Sequence, residues 1–190
     1  RRVLFRSIIV IMGPPGAGKG TQAKILASKF NLLHLSTGEI LRNEIDKGSK
    51  LGLKAKKFMD QGNLVPDKLV LEMIEKIILT NQGEGFIFDG FPRTVPQSEG
   101  LDSLLGRLKL KIDYVLNISL DKSVLVKRLV ERAKNSGRSD DSEEVIMNRQ
   151  DVYEDLTKPL IDYYHDEVKE INGDGTVEEV SKRIFYQINQ

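Results

Sequence analysis

Short apolar runs alternate along this chain with longer stretches in which apolar residues return every three or four positions. Ile8-Ile-Val-Ile-Met12 is apolar without interruption and stops at Gly13-Pro14, so it reads as a buried strand rather than a helix. The same reasoning predicts strands over residues 7–12, 32–35, 85–89, 114–120 and 168–172. Between Leu69 and Leu79 the residues Leu69, Val70, Met73, Ile74, Ile77 and Ile78 share one helical stripe, which Asn81 and Gly83 close. Strands separated by helical segments predict an α/β fold: a three-layer sandwich in which a five-stranded parallel sheet carries helices on both faces. Two segments break the rhythm. Residues 36–66 are helical in composition but too long for a simple connection, and read as an inserted helical lobe. Residues 133–142 are polar and rich in Ser, Gly and Asp, and read as a mobile loop between two helices.

The 190 residues suit a single domain over 1–190, and 39% apolar with 30% charged residues excludes disordered and fibrous classes. No apolar run reaches the roughly 18–20 residues of a membrane span. Arg1 and Arg2 stand where a secretory leader carries its charges, but the apolar run behind them is too short and no small-residue cleavage site follows. A cytoplasmic protein with no membrane partner is the expectation. Absence of cysteine removes disulfides, thiolate chemistry and Cys-ligated zinc, and His34 and His165 are too far apart for a helical metal pair. A metal is then expected on oxygen ligands. With 29 basic and 28 acidic residues there is no overall field to hold nucleic acid, so anion binding must be local.

Gly13-Pro-Pro-Gly-Ala-Gly-Lys19 has the G-x-x-x-x-G-K spacing directly after the first predicted strand and ahead of a helical stretch. Glycines are needed there because successive N–H groups turn inward on phosphate oxygens with no Cβ in the way, and the helix N-terminus adds partial positive charge. Lys19 supplies a full charge. Gly20 stands where such loops carry Ser or Thr, so the hydroxyl ligand to Mg²⁺ is missing and Thr21 comes one residue late. Asp89 ends a strand at the carboxyl edge of the sheet, where it suits a metal held through water; its other reading is a turn former.

Six of the eleven arginines fall in segments that such a sheet brings to one edge: Arg42, Arg93, Arg128, Arg132, Arg138 and Arg149. Arg128 and Arg132 are four apart on a helix whose apolar face is Val124, Leu125, Leu129 and Val130, so two guanidinium forks leave from one side, as a polyphosphate requires. Arg149 lies between Ile146 and Tyr153 on a stripe expected to be buried, and so calls for an anionic partner. Any one of them alone reads as a solvated charge; as a cluster opposite Lys19 they fit two phosphate-bearing substrates. Tyr163-Tyr164 reads as core packing.

From Ile8 to about Ile188 the chain resembles the nucleoside monophosphate kinases, and most closely the adenylate kinases in their short-lid form. The motifs that carry the resemblance are Gly13-Pro-Pro-Gly-Ala-Gly-Lys-Gly-Thr-Gln22, Leu35-Ser-Thr-Gly-Glu-Ile-Leu-Arg42, Asp89-Gly-Phe-Pro-Arg-Thr94 and Ser136-Gly-Arg-Ser-Asp-Asp141. It implies reversible transfer of the γ-phosphoryl of MgATP to AMP, giving two ADP, with lobes that close over the substrates. Small-molecule nucleotides, Mg²⁺ with ATP, no zinc, no nucleic acid and a monomeric state follow from it. Lys19, Arg93, Arg128, Arg132, Arg138 and Arg149 are implied as the catalytic set. Gly16, Ala17, Gly18, Lys19, Gly20 and Thr21 would cradle the ATP phosphates, with Arg128 and Arg132 on ATP and Gly175 by its base. Thr37, Gln97 and the backbone of Asn63, Leu64 and Val65 would form the adenine pocket for AMP, while Arg42 and Arg93 with Gly90, Phe91 and Pro92 would hold its phosphate. Arg138 and Arg149 would reach the phosphates at the transfer point, and Asp89 would hold Mg²⁺ through water. Residues 36–66 become the lobe that binds the acceptor and 132–142 a short lid, since about five residues separate Arg132 from Arg138, too few for a separate lid domain.

Three other readings compete. The UMP/CMP kinases are similar but usually carry Ala where Thr37 stands and Asn where Thr94 stands, and Gln97 suits the Watson–Crick edge of adenine. A non-catalytic ATP-dependent switch is the alternative of another class, against which every phosphate-contacting position is intact. A nucleic-acid module would need a basic stripe interleaved with aromatics.

Overall fold

The computed structural model describes residues 6–136 and 142–189. Among them five parallel strands form one sheet in the order β2-β3-β1-β4-β5: β1 (Ile8–Met12), β2 (Leu33–Ser36), β3 (Phe86–Asp89), β4 (Tyr114–Ser119) and β5 (Val168–Asn172). Ile8, Val10 and Met12 enter one core, whereas Ile9 and Ile11 enter the other. That two-sided burial is why β1 is apolar at every position. The first core adds Phe86, Phe88 and Phe91, Ile74 and Ile78 of α4 (Asp67–Thr80), and Leu101 and Leu105 of α5 (Val95–Arg107). The second adds Leu26 of α1 (Lys19–Phe30) and Val180, Ile184 and Ile188 of α9 (Val177–Ile188). Helices therefore cover both faces, as the alternation predicts.

The register fixes where chemistry can occur. Asp89 is level with Ile11 of β1 on one side and with Ser36 of β2 on the other. Three strands thus end together, delivering the Gly13 loop, Thr37 and Gly90 to one edge. β2 and β3 lie on one side of β1 and β4 and β5 on the other, so this edge is the switch point at which open parallel sheets bind ligands.

The segment between β2 and α4 forms α2 (Thr37–Asp46) and α3 (Lys50–Met59). After β4 come α6 (Lys122–Ser136), α7 (Glu143–Val152), a π-helical turn over Tyr153–Thr157 and the short α8 (Leu160–Tyr163). Three expectations need correction. The loop expected from residue 133 begins later, because 133–136 complete the last turn of α6; Ala133 and Lys134 are good helix formers. Val130, expected on the packed side of α6, is 37% exposed, and the helix buries only the narrower stripe of Leu125 and Leu129. Tyr164 is buried as expected, but Tyr163 is at the surface, where its hydroxyl donates to Asp102 Oδ2 at 2.8 Å. No helix among the described residues is long and apolar enough to cross a membrane.

Candidate active site

β1 hands over to the phosphate loop at Gly13, whose φ of +140° disfavours other residues and whose Cβ, if it had one, would sit 2.4 Å from the Ile118 carbonyl oxygen of β4. The loop then turns into α1, which Gln22 pins to the core: its Nε2 donates to Val177 O at 3.0 Å and its Oε1 accepts from Ser181 Oγ at 2.7 Å. Lys19 turns its ammonium back under the loop, donating to Gly13 O at 2.7 Å and Pro14 O at 2.9 Å. Burial drops its pKa from 10.5 to about 7; Arg93, Arg149 and Arg132 push the same way, and Asp89 opposes them. A cation so destabilised is poised to gain from an incoming anion.

Asp89 closes β3 beside this lysine. Burial works against its charge, but the nearby His34 side chain, Lys19 and Arg93 outweigh that and hold its carboxyl below the usual range. His34 Nε2 lies 3.5 Å from Asp89 Oδ2. Gly20 leaves room here, since a Cβ on it would be 3.1 Å from Asp89 Oδ2.

The hairpin after Asp89 carries the next cation. Gly90 has φ of +73°, and a Cβ at that position would meet Arg93 Nη2 at 2.7 Å. Arg93 Nε donates to Gly90 O at 2.8 Å, and its backbone N–H donates to Gln97 Oε1 at 2.8 Å. Gln97 in turn donates to Asp67 Oδ1 at 2.8 Å, and Thr94 donates to the same oxygen at 3.0 Å. Phe91 points away, fully buried against Phe88 with ring centroids 5.8 Å apart, so its part is to anchor the hairpin.

These elements enclose a cleft of about 340 Å³ lined by Lys19, Arg42, Arg93, Arg128, Arg132 and Arg149 together with Asp89, Gly16, Gly18, Gly20 and Thr21. With Lys24 the lining holds seven basic side chains against two carboxylates, Asp89 and Glu39, in a chain whose net charge is only +1. The sequence therefore concentrates its positive charge here. Five of the six arginines singled out in the sequence meet in this space; Arg138 lies outside the described residues. Arg42, Arg93 and Arg149 also line an adjoining small cavity with Thr37, Asn63, Leu64, Val65, Gly90 and Gln97. Pro92 borders a further pocket with Lys19 and Arg149. Ala17 is buried, and Gly175 sits in the loop before α9, where the carbonyl of neighbouring Gly173 lies 3.5 Å from Arg128 Nη2.

Arg149 is only half-buried; the buried polar residue of α7 is Gln150, 3% exposed, whose Nε2 donates to Pro15 O at 3.0 Å. Gln150 and Asp67 belong to none of the sequence motifs, and His34 enters there only as half of a metal pair too widely spaced to form. His34 and Asp89 are 55 positions apart and meet only through strand order, so spacing gives no sign of them. Gln150 stands next to Arg149 on the stripe that was read, and its amide was the signal there.

The adenylate kinase family model matches residues 11–169. Adenylate kinases of Leptospira biflexa, Flavobacterium psychrophilum and Synechococcus are 46%, 47% and 47% identical to this chain, each over 95% of it and over 98%, 97% and 97% of the relative. A phosphate loop at the switch point, a ring of arginines around it and near-complete coverage at this identity lead to one conclusion: the chain belongs to the adenylate kinase family.

Proposed function

We propose that the protein transfers the γ-phosphoryl of MgATP to AMP, reversibly, giving two ADP. The observation that carries this reading is the shared wall: Arg42, Arg93 and Arg149 line both the polycationic cleft over the phosphate loop and the smaller cavity under α2. Two polyanions can thus lie end to end, one over Gly16–Gly18 and Lys19, the other with its base between Thr37 and the 63–65 backbone. Away from those arginines the small cavity is lined by uncharged and apolar groups, Thr37, Leu41, Met59, Leu64, Val65 and Gln97 among them, which suits a nucleobase.

Transfer then asks for alignment and neutralisation. An AMP phosphate oxygen forms a bond to the γ-phosphorus as the bond to the β–γ bridging oxygen breaks, and that oxygen leaves with the electron pair as part of ADP. The acceptor attacks as an anion, so no general base is required. Lys19, Arg132 and Arg149 stand where negative charge spreads over the transferred group, and Arg93 and Arg42 hold the acceptor phosphate. Arg138 is assigned to the same group by the family resemblance. Asp89 is the carboxylate beside Lys19, and Gly20 leaves no hydroxyl directly after that lysine, a sparse donor set that fits a Mg²⁺ held largely by waters and phosphates; Asp89 would hold it through water. When bound, Mg²⁺ supplies charge neutralisation and orientation of the β- and γ-phosphates.

Water is the competing nucleophile, and residues 36–66 closing as an acceptor lobe would exclude it; residues 137–141 of the lid expected over 132–142 lie outside the described residues. A monomeric state and a cytoplasmic location are carried over from the family resemblance.

ADP formation from MgATP with AMP, CMP, UMP or GMP offered separately tests the assignment. AMP-selective turnover that disappears in Lys19→Ala is expected. Preference for CMP or UMP overturns the base assignment, and no turnover with any acceptor overturns the enzyme reading.

A further inference from the structure

The π-helical turn Tyr153–Thr157 supplies no group to the phosphoryl-transfer step proposed above. Such turns are rare and cost regular hydrogen bonding, so one persists where it delivers something an α-helix would not. Here the Lys158 N–H reaches back five residues to Tyr153 O at 2.8 Å. Thr157, 7% exposed, then points its hydroxyl at the hairpin after β3 and donates to the Arg93 carbonyl oxygen at 2.8 Å.

Arg93 is thereby gripped on both sides of its Cα. Its N–H is tied to Gln97 of α5 and its C=O to Thr157, leaving the direction of its side chain little freedom. The continuous segment that ends in Thr157 also carries Arg149, docks on the phosphate loop through Gln150, and reaches the turn before the 63–65 backbone through Asn148, whose Nδ2 donates to Gln61 O at 2.7 Å. One stretch of helix therefore touches the donor loop, the acceptor lobe and the acceptor arginine.

We propose that Thr157 is a positioning residue for phosphoryl transfer: through its hydrogen bond to the Arg93 carbonyl, the π-helical turn fixes the acceptor-phosphate arginine in register with Arg149 and the donor loop. This rests on the function proposed above. It assigns the turn a task, and it separates the effect of Thr157 on the acceptor from any effect on ATP. Misplacement of a substrate-gripping group by about 1 Å can cost up to about 10²-fold in rate.

The test compares the wild-type chain with Thr157→Val, which keeps shape but loses the donor, and Thr157→Ser, which restores it. Steady-state kinetics are read for both substrates, and AMP binding is read by calorimetry. The expected result is a fall in kcat/KM for AMP of about tenfold or more in Thr157→Val, shared between kcat and KM, with KM for MgATP unchanged and Thr157→Ser close to wild type. AMP parameters of Thr157→Val equal to wild type, a loss that strikes ATP and AMP alike, or no rescue by Ser overturns the proposal. Should Thr157→Val not fold, Thr157→Ala is read against Thr157→Ser by the same criteria. A wild-type chain without AMP-dependent ADP formation sinks the function reading alone, and the calorimetric comparison of AMP binding then decides this one.

Discussion

Thr37 and Arg93 donate to the same oxygen, the carbonyl of Gly90, at 2.7 Å and 2.8 Å. The first helical residue of the acceptor lobe and the arginine assigned to the acceptor phosphate are thus joined through one peptide, and that peptide directly follows Asp89. Thr37, Arg93 and Asp89, the residues proposed for the base pocket, the acceptor phosphate and the metal side, are thereby placed within a few bonds of one another.

Gly90→Ala puts this junction under load. The positive φ costs a residue with a Cβ about 1–2 kcal/mol, and the added carbon would sit 2.7 Å from Arg93 Nη2, at the far end of a long side chain. The guanidinium is displaced rather than the backbone. KM for AMP rises by about tenfold, KM for MgATP stays as in wild type, and thermal unfolding shifts down modestly. Equal changes in both KM values would contradict the assignment of Arg93 to the acceptor.

Lys19 makes nucleotide binding depend on pH. Its pKa is about 7 folded against 10.5 in the unfolded chain, so between these values the unfolded state holds more protons and stability at this site rises with pH; below about 7 the cost of burying the charge is present in full. Lys19→Met therefore stabilises the ligand-free protein, more at about pH 6.5 than at about pH 9. Phosphate restores the charge, so MgATP binding at about pH 8, above the phosphate titration near 6, takes up a proton. Calorimetry in two buffers of different ionisation enthalpy reads that uptake, and its absence in wild type, or its persistence in Lys19→Met, counts against the assignment.

Asp89→Asn keeps the shape of the strand end and removes the charge beside Lys19 and His34. A carboxylate that orients metal-bound water typically contributes about 10–100-fold to metal affinity or activity. The Mg²⁺ concentration giving half-maximal rate rises on that scale, with little change in KM for AMP. A variant with wild-type Mg²⁺ dependence would leave Asp89 as a strand-end turn residue.

Gln150→Leu tests the donor side. The change strips the Pro15 carbonyl of a donor at 3.0 Å in a site only 3% exposed, at a cost of about 1–3 kcal/mol. Its effect falls on MgATP, raising that KM with AMP binding spared. A loss confined to AMP would mean that α7 does not position the donor loop.

How much of this was legible in the sequence follows from the range of each interaction. β1 is readable to within about a residue because burial on both faces makes it apolar throughout, and local pattern reports that directly. The phosphate loop was readable because its glycines and Lys19 are contiguous. The five described arginines were found individually, and their convergence followed from strand order. Gln150 and Thr157 act through single bonds to the carbonyls of Pro15 and Arg93, 135 and 64 positions away, and a backbone oxygen leaves no residue type to read. The π-helical turn is equally silent, because Tyr153–Thr157 has no composition that separates five-residue from four-residue bonding. Composition hides the end of α6, because the Ser and Gly residues of the following stretch outweigh the helix formers Ala133 and Lys134.

Phosphorus NMR of the purified chain supplied with MgADP alone tests the central claim most directly. The account predicts that ATP and AMP signals appear in equal amounts as ADP falls, and that the same mixture is reached from MgATP plus AMP. Release of inorganic phosphate in place of paired ATP and AMP would show a hydrolase, and would contradict the two-nucleotide site built around Lys19, Arg93 and Arg149.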